Sequence, residues 1–182
     1  MENNVREESG LKFQFPENET VIKFDDTKFY RDYFNKLPNA KGVDFISVDK
    51  YKIAFIEVKN CIGDEGNCRW RIAPNNQKRN KTHTSVNVEG RDSLDIEMAQ
   101  KTAMTIAALI GAKSFGDTKE CLCELREYIQ FLSKDAFSDN SKKKYVILFL
   151  EGDFGGKTRS KKMIMKALQD SINKKLKWIN CR

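Results

Sequence analysis

The sequence predicts an α/β protein, a mixed β-sheet flanked by helices. Three observations carry that expectation. Two adjacent runs, Val43–Val48 and Tyr51–Val58, are rich in β-branched and aromatic residues and apolar at nearly every position. A third run, Lys144–Leu150, stands alone as a buried strand between helical stretches. Apolar residues recur with helical spacing before, between and after these runs.

Taken in order, residues 1–18 are polar and are expected to be a flexible lead-in, with a single domain over residues 19–182. A short strand is expected at Thr20–Phe24. Asp25 or Asp26 then offers an N-cap to a helix carrying Phe29, Tyr30, Tyr33, Phe34 and Leu37, which Pro38 ends. The runs Val43–Val48 and Tyr51–Val58 read as a hairpin turning at Asp49-Lys50. From Asn60 to Arg91 periodicity is lost, and a connection that long is either functional or disordered. A helix over Asp92–Ala112 has a strongly apolar second half. Another is expected over Lys119–Lys134, and an amphipathic one over Ser160–Lys175.

Composition bounds the function. The chain has 182 residues, 40% hydrophobic, with 12 Phe and 2 Trp to fill one core. No apolar run approaches the ~20 residues needed to cross a bilayer, and the acidic N-terminus is unlike a secretory signal. A cytoplasmic protein with no membrane partner is therefore expected. Five cysteines, an odd count, are simplest as reduced thiols, and no Cys/His spacing is that of a zinc site. The net charge of +7 is concentrated. Between residues 69 and 91 stand Arg69, Arg71, Lys78, Arg79, Lys81 and Arg91 against the single acid Glu89. The tail from Lys157 onward has only Asp170 as an acid. Such blocks suit a polyanion, although a solvated basic face accounts for them equally well.

The hairpin holds the candidate chemistry. With a turn at Asp49-Lys50, Asp44 falls opposite Phe55, and Glu57 is its diagonal neighbour on the same face. Lys59 follows on that face. Charges at the end of a strand pair that is apolar on both sides need a reason, since burying them unpaired is costly. Two carboxylates and the intervening carbonyl of Val58 can hold a hard cation such as Mg²⁺. The ion would polarise a phosphate and acidify a bound water, and the lysine could orient that water or meet the charge developing on phosphorus. An ion-pair network at a sheet edge is the plainer account of the same spacing.

The run Gly42-Val43-Asp44-Phe45, followed by Ile56-Glu57-Val58-Lys59-Asn60, resembles the PD-(D/E)XK nuclease superfamily. The resemblance covers about Thr20 to Ala112. It implies a restriction-endonuclease-like αβββαβ core, Asp44, Glu57 and Val58 as metal ligands, and Lys59 as catalytic lysine. The cofactor it implies is Mg²⁺ or Mn²⁺. The later helix of such enzymes often adds a Gln or Lys, which makes Gln100 and Lys101 candidates on the face shared with Glu97 and Met104. Val43 stands where a Pro is usual, and Asp26 or Asp32 would have to replace an acid of the first helix. Dimers are common in that superfamily, so a homodimer is compatible with the resemblance.

The expected function is thus a metal-dependent nuclease hydrolysing phosphodiester bonds, with DNA the expected nucleic acid. Arg69, Trp70, Arg71, Lys78, Arg79 and Lys81 would contact it; Trp70 could stack on a base or anchor its own loop. The alternative is a non-catalytic nucleic-acid-binding or assembly module on the same fold. Two further features are read as structural. Gly152–Thr158 follows a strand and precedes a helix, but Glu151 stands where a phosphate-binding loop requires Gly. His83, between two threonines in the basic loop, is expected to be exposed.

Overall fold

Alternation in the strands and capping at the helices account for most of the elements seen in the computed structural model, which describes residues 4–77, 91–116, 119–133, 141–155 and 158–182. In chain order these are β1 (Val5–Glu8), β2 (Leu11–Gln14), β3 (Thr20–Lys23), α1 (Lys28–Asp32), β4 (Phe45–Val48), β5 (Lys52–Asn60), α2 (Glu65–Arg71), α3 (Leu94–Ala112), α4 (Arg126–Ser133), β6 (Lys143–Glu151) and α5 (Lys161–Lys175). The protein is mixed α/β, with a four-stranded sheet in the order β3-β4-β5-β6 and a separate β1-β2 hairpin. β3, β4 and β5 pair antiparallel. The Lys143 amide donates to the Tyr51 carbonyl, and the Cys61 amide to the Glu151 carbonyl, so β6 runs parallel to β5. The sheet is mixed. In chain order its first strand precedes α1, so the described elements do not follow αβββαβ literally.

Contacts divide the chain into two compact units, one of Met1–Val58, Lys101–Leu148 and Arg182, the other of Lys59–Gln100 and Phe149–Cys181. In the first, one sheet face gathers Val21, Phe45, Ala54, Ile56 and Val58, with Leu11, Phe13 and Phe15 packed against it. Phe13 and Phe15 each meet the Phe45 ring at 5.9 Å between centroids. The expected flexible lead-in is thus a hairpin over residues 5–14. Its signal is the alternation of Leu11, Phe13 and Phe15 with polar neighbours, after a Ser9-Gly10 turn whose φ angles of 52° and 76° suit a two-residue hairpin.

Other boundaries shift for local reasons. Thr27, not Asp25 or Asp26, caps α1, accepting from the Tyr30 amide at 3.1 Å and donating to the Phe24 carbonyl at 2.7 Å. α1 stops at Asp32, and a 3₁₀ turn over Phe34–Lys36 continues it, so Tyr30 and Phe34 still meet at 5.7 Å. The expected helix over 119–134 opens as a 3₁₀ turn, Glu120–Leu125, before α4. Within the long connection lies α2.

In the second unit, Asp95 of α3 is fully buried. Its carboxylate accepts from the Ser93 hydroxyl at 2.5 Å, the Ser171 hydroxyl at 2.7 Å and the Lys175 ammonium at 2.7 Å. Ser160 caps α5, which buries Ile164, Leu168 and Ile172. Burial pushes the Asp95 carboxyl up, but the hydrogen bonds and the charge of Lys175 outweigh it and hold the group below its ordinary 3.8. A carboxylate lowered on folding stabilises the protein above its unfolded pKa and loses that contribution as pH falls through the folded value. Acid melting should therefore include a component setting in below pH 3.8 that Asp95→Asn removes, read as Tm against pH. For the N-terminal hairpin, Phe13→Ala should cost about 2 kcal/mol in urea unfolding, allowing for its partial burial, whereas exposed Lys12→Ala should stay within about 0.5 kcal/mol.

Candidate functional site

Asp44 is placed by its neighbours on the chain. At Gly42 an added Cβ would come within 2.7 Å of the Phe24 ring, so only glycine lets Phe24 and Tyr30 pack so closely there. The Val43 amide donates to the Thr105 hydroxyl of α3 at 3.1 Å. The Asp44 carbonyl accepts from the Phe24 amide at 3.0 Å. Three elements therefore fix the backbone on either side of one carboxylate.

The hairpin register then sets its partner. The Asp49 amide donates to the Lys52 carbonyl, and the Asp49 carboxylate accepts from the amides of Tyr51 and Lys52 at 2.7 and 2.8 Å. Asp49 thus closes the turn from outside, and the tight turn is Lys50-Tyr51, not Asp49-Lys50. Val48 lies opposite Ile53 and Phe45 opposite Ile56. Continued by one residue, that register sets Asp44 opposite Glu57, where a turn at Asp49-Lys50 would have set it opposite Phe55. A slip of two residues keeps every face, so the carboxylates become direct neighbours.

Both are buried, Asp44 at 6% exposure and Glu57 at 1%. Asp44 Oδ2 accepts from the Val58 amide at 2.7 Å. The Lys101 ammonium from α3 lies 2.7 Å from both Glu57 oxygens and 3.3 Å from Asp44 Oδ1. One cation thus bridges two anions, a pairing that a desolvated acid pair requires.

A third acid stands nearby that the sequence reading treated as a helix cap. Asp25 follows Phe24, and its Oδ1 is buried with no hydrogen-bond partner in the protein. Burial pushes its carboxyl above 3.8; the Lys23 charge opposes the rise and the Asp44 charge adds to it. Asp26, by contrast, is exposed and pairs with Lys23 at 3.5 Å, and Asp32 is exposed. A half-buried Asp with one buried oxygen beside a strand end has no sequence signature. Among the described residues no group of three or more His, Cys, Asp and Glu side chains converges as a metal site would.

In the second unit, Lys59 lies two residues beyond Glu57 on β5, and its ammonium is 3.5 Å from Glu97. Glu97 also accepts from Arg71. Arg71 is buried at 6% exposure, so this residue of the expected nucleic-acid contact set is part of the interior. Trp70 is half-buried, its indole N–H donating to the Arg91 carbonyl at 3.2 Å, as a loop anchor would. Arg69 is exposed, and so is Gln100. Lys78, Arg79, Lys81 and His83 lie outside the described residues. No helix among the described residues is long and apolar enough to cross a membrane.

The fold and this geometry define a mixed α/β protein with a buried dicarboxylate–ammonium centre. By comparison with known proteins, residues 27–182 match the family described as "Family of unknown function (DUF6661)", and the chain belongs to that family. No curated protein matches the chain, and no solved structure does.

The two arginines should separate in stability measurements. Arg71→Ala removes a buried guanidinium from the half-buried Glu97 and should cost about 2 kcal/mol in urea unfolding. Arg69→Ala should cost less than about 0.5 kcal/mol, as exposed substitutions do.

Proposed function

We propose that the protein is a metal-dependent phosphodiesterase acting on nucleic acid, DNA being the expected substrate, on a restriction-endonuclease-like core. The observation that carries this reading is the direct pairing of two buried carboxylates, Asp44 and Glu57, across β4 and β5, with a cationic group already seated on both. Lys59 follows on the same strand, and strand alternation gives it the parity of Glu57.

The donor set suits Mg²⁺ or Mn²⁺. Magnesium is commonly held by one or two carboxylates and keeps several waters. Asp44 Oδ2 is engaged by the Val58 amide, which leaves Oδ1 and the Glu57 carboxylate as the ligands, with the Val58 carbonyl a third hard oxygen. When bound, the ion would polarise the scissile phosphate and acidify water. The chain's own work is then positional. The Val58 amide fixes the orientation of the Asp44 carboxylate, and Thr105 fixes the backbone before it. Lys59 would meet the charge building on the phosphate, where a fixed cation is worth most because water is excluded. Arg69 offers a nonspecific contact to the phosphate backbone.

One observation favours a second reading, a non-catalytic nucleic-acid-binding or assembly module. Lys101 already bridges the two carboxylates, as it would in a structural ion cluster.

Incubation of plasmid, linear duplex, single-stranded DNA and structured RNA with Mg²⁺ or Mn²⁺ decides between them. The expected outcome is metal-dependent cutting that falls by about 100-fold or more in Lys59→Ala and is abolished in Glu57→Gln. Binding without cutting, unchanged by Glu57→Gln, would establish the second reading.

A further inference from the structure

The Lys101 ammonium occupies the point on which Glu57 and Asp44 converge, 2.7 Å from both Glu57 oxygens and 3.3 Å from Asp44 Oδ1. A divalent ion coordinated by the same oxygens would have to take that point. The two cations cannot share it, since like charges a few ångströms apart repel strongly in a buried setting. Lys101 must therefore leave when a metal enters, and its charge needs a second partner, because an ammonium with no counter-ion in the interior is costly.

Asp25 supplies one. Its Oδ1 is buried and lacks a hydrogen-bond partner. An orphaned buried carboxylate oxygen in a native fold calls for a physical reason. Asp25 belongs to the same compact unit and lies next to Phe24, whose amide donates to the Asp44 carbonyl at 3.0 Å. The Asp44 charge acts on Asp25, alongside the larger effect of Lys23, and Asp25 and Lys101 both act on Tyr30. The flexible four-carbon stem of lysine allows the ammonium to change partners without moving α3.

We infer that Lys101 is a displaceable placeholder with two berths: the Asp44–Glu57 pair when no metal is present, and Asp25 when a divalent cation takes that pair. Asp25 thereby acts on metal binding through Lys101 and is not itself a ligand. This rests on the cation-binding part of the proposed function and not on cleavage.

The test is a double-mutant cycle on Mn²⁺ affinity, with Mn²⁺ alone as probe, measured by calorimetry or by the electron paramagnetic resonance signal of the free ion. Lys101→Met removes the competitor and should tighten Mn²⁺ by about 5-fold or more. Asp25→Asn removes the second berth and should weaken Mn²⁺ in the wild-type background by about 5-fold, yet leave it unchanged in Lys101→Met. Equal weakening in both backgrounds would make Asp25 a direct ligand and overturn the inference. So would a Lys101→Met protein that binds Mn²⁺ no more tightly than wild type. Should Lys101→Met prove unstable without metal, Lys101→Gln enters the same cycle with the same expected signs. Mn²⁺ affinities that follow the cycle in a protein that cuts no nucleic acid would retain the placeholder and reject the nuclease; cutting with no coupling between the two residues would do the reverse.

Discussion

The costliest feature of the fold is the placement of two carboxylates directly across an antiparallel pair, on a face shared with the apolar Ile46, Val48, Ile53 and Phe55. Each alone would lose several kcal/mol of hydration on burial, and together they repel. The surroundings are organised to offset this. A backbone amide and an ammonium meet Asp44, the same ammonium meets Glu57, and the segment leading to Asp44 is held by Thr105 and by Phe24. Gly42 is demanded by that arrangement, since any side chain there would collide with Phe24. The position of α3 along the sheet is tied to it as well, because Lys101 and Thr105 lie one helical turn apart and both reach the Asp44 segment.

Much of this was legible in the residues. Apolar runs at Val43–Val48 and Tyr51–Val58, with acids at Asp44 and Glu57, require a buried hairpin that holds charges, and with a two-residue turn period-two alternation assigns both acids to one face. That parity survived a register two residues away from the expected one. The turn differs from the expected Asp49-Lys50 because the Asp49 carboxylate gathers the amides of Tyr51 and Lys52 from the position before the turn. The resemblance and a shared helical face make Lys101 a candidate, but neither says that its ammonium lies on both acids.

What stayed hidden depends on tertiary context. Arg71 reads as one more cation in a basic stretch, and only its burial beside Glu97 removes it from the surface. Asp25 reads as one of two adjacent acids before a helix, and only the depth of its oxygen distinguishes it from Asp26. Asp95 gives no motif at all, yet it ties Ser171 and Lys175 of α5 to Ser93 at the approach to α3. Sequence patterns report periodicity, and these three residues owe their roles to contacts without a period.

The family match begins at residue 27, whereas β1, β2 and β3 lie before it. Leu11, Phe13 and Phe15 nevertheless shield one face of the sheet, over Phe45 and Ile56. The stretch in which the family shares its sequence is therefore shorter than the stretch this chain uses to keep its core dry. A relative without a counterpart of that hairpin must shelter the same strands with other material, its own or borrowed from another chain. Diversity within the family is then to be sought in how the outer face of the sheet is roofed, on the side away from the paired acids.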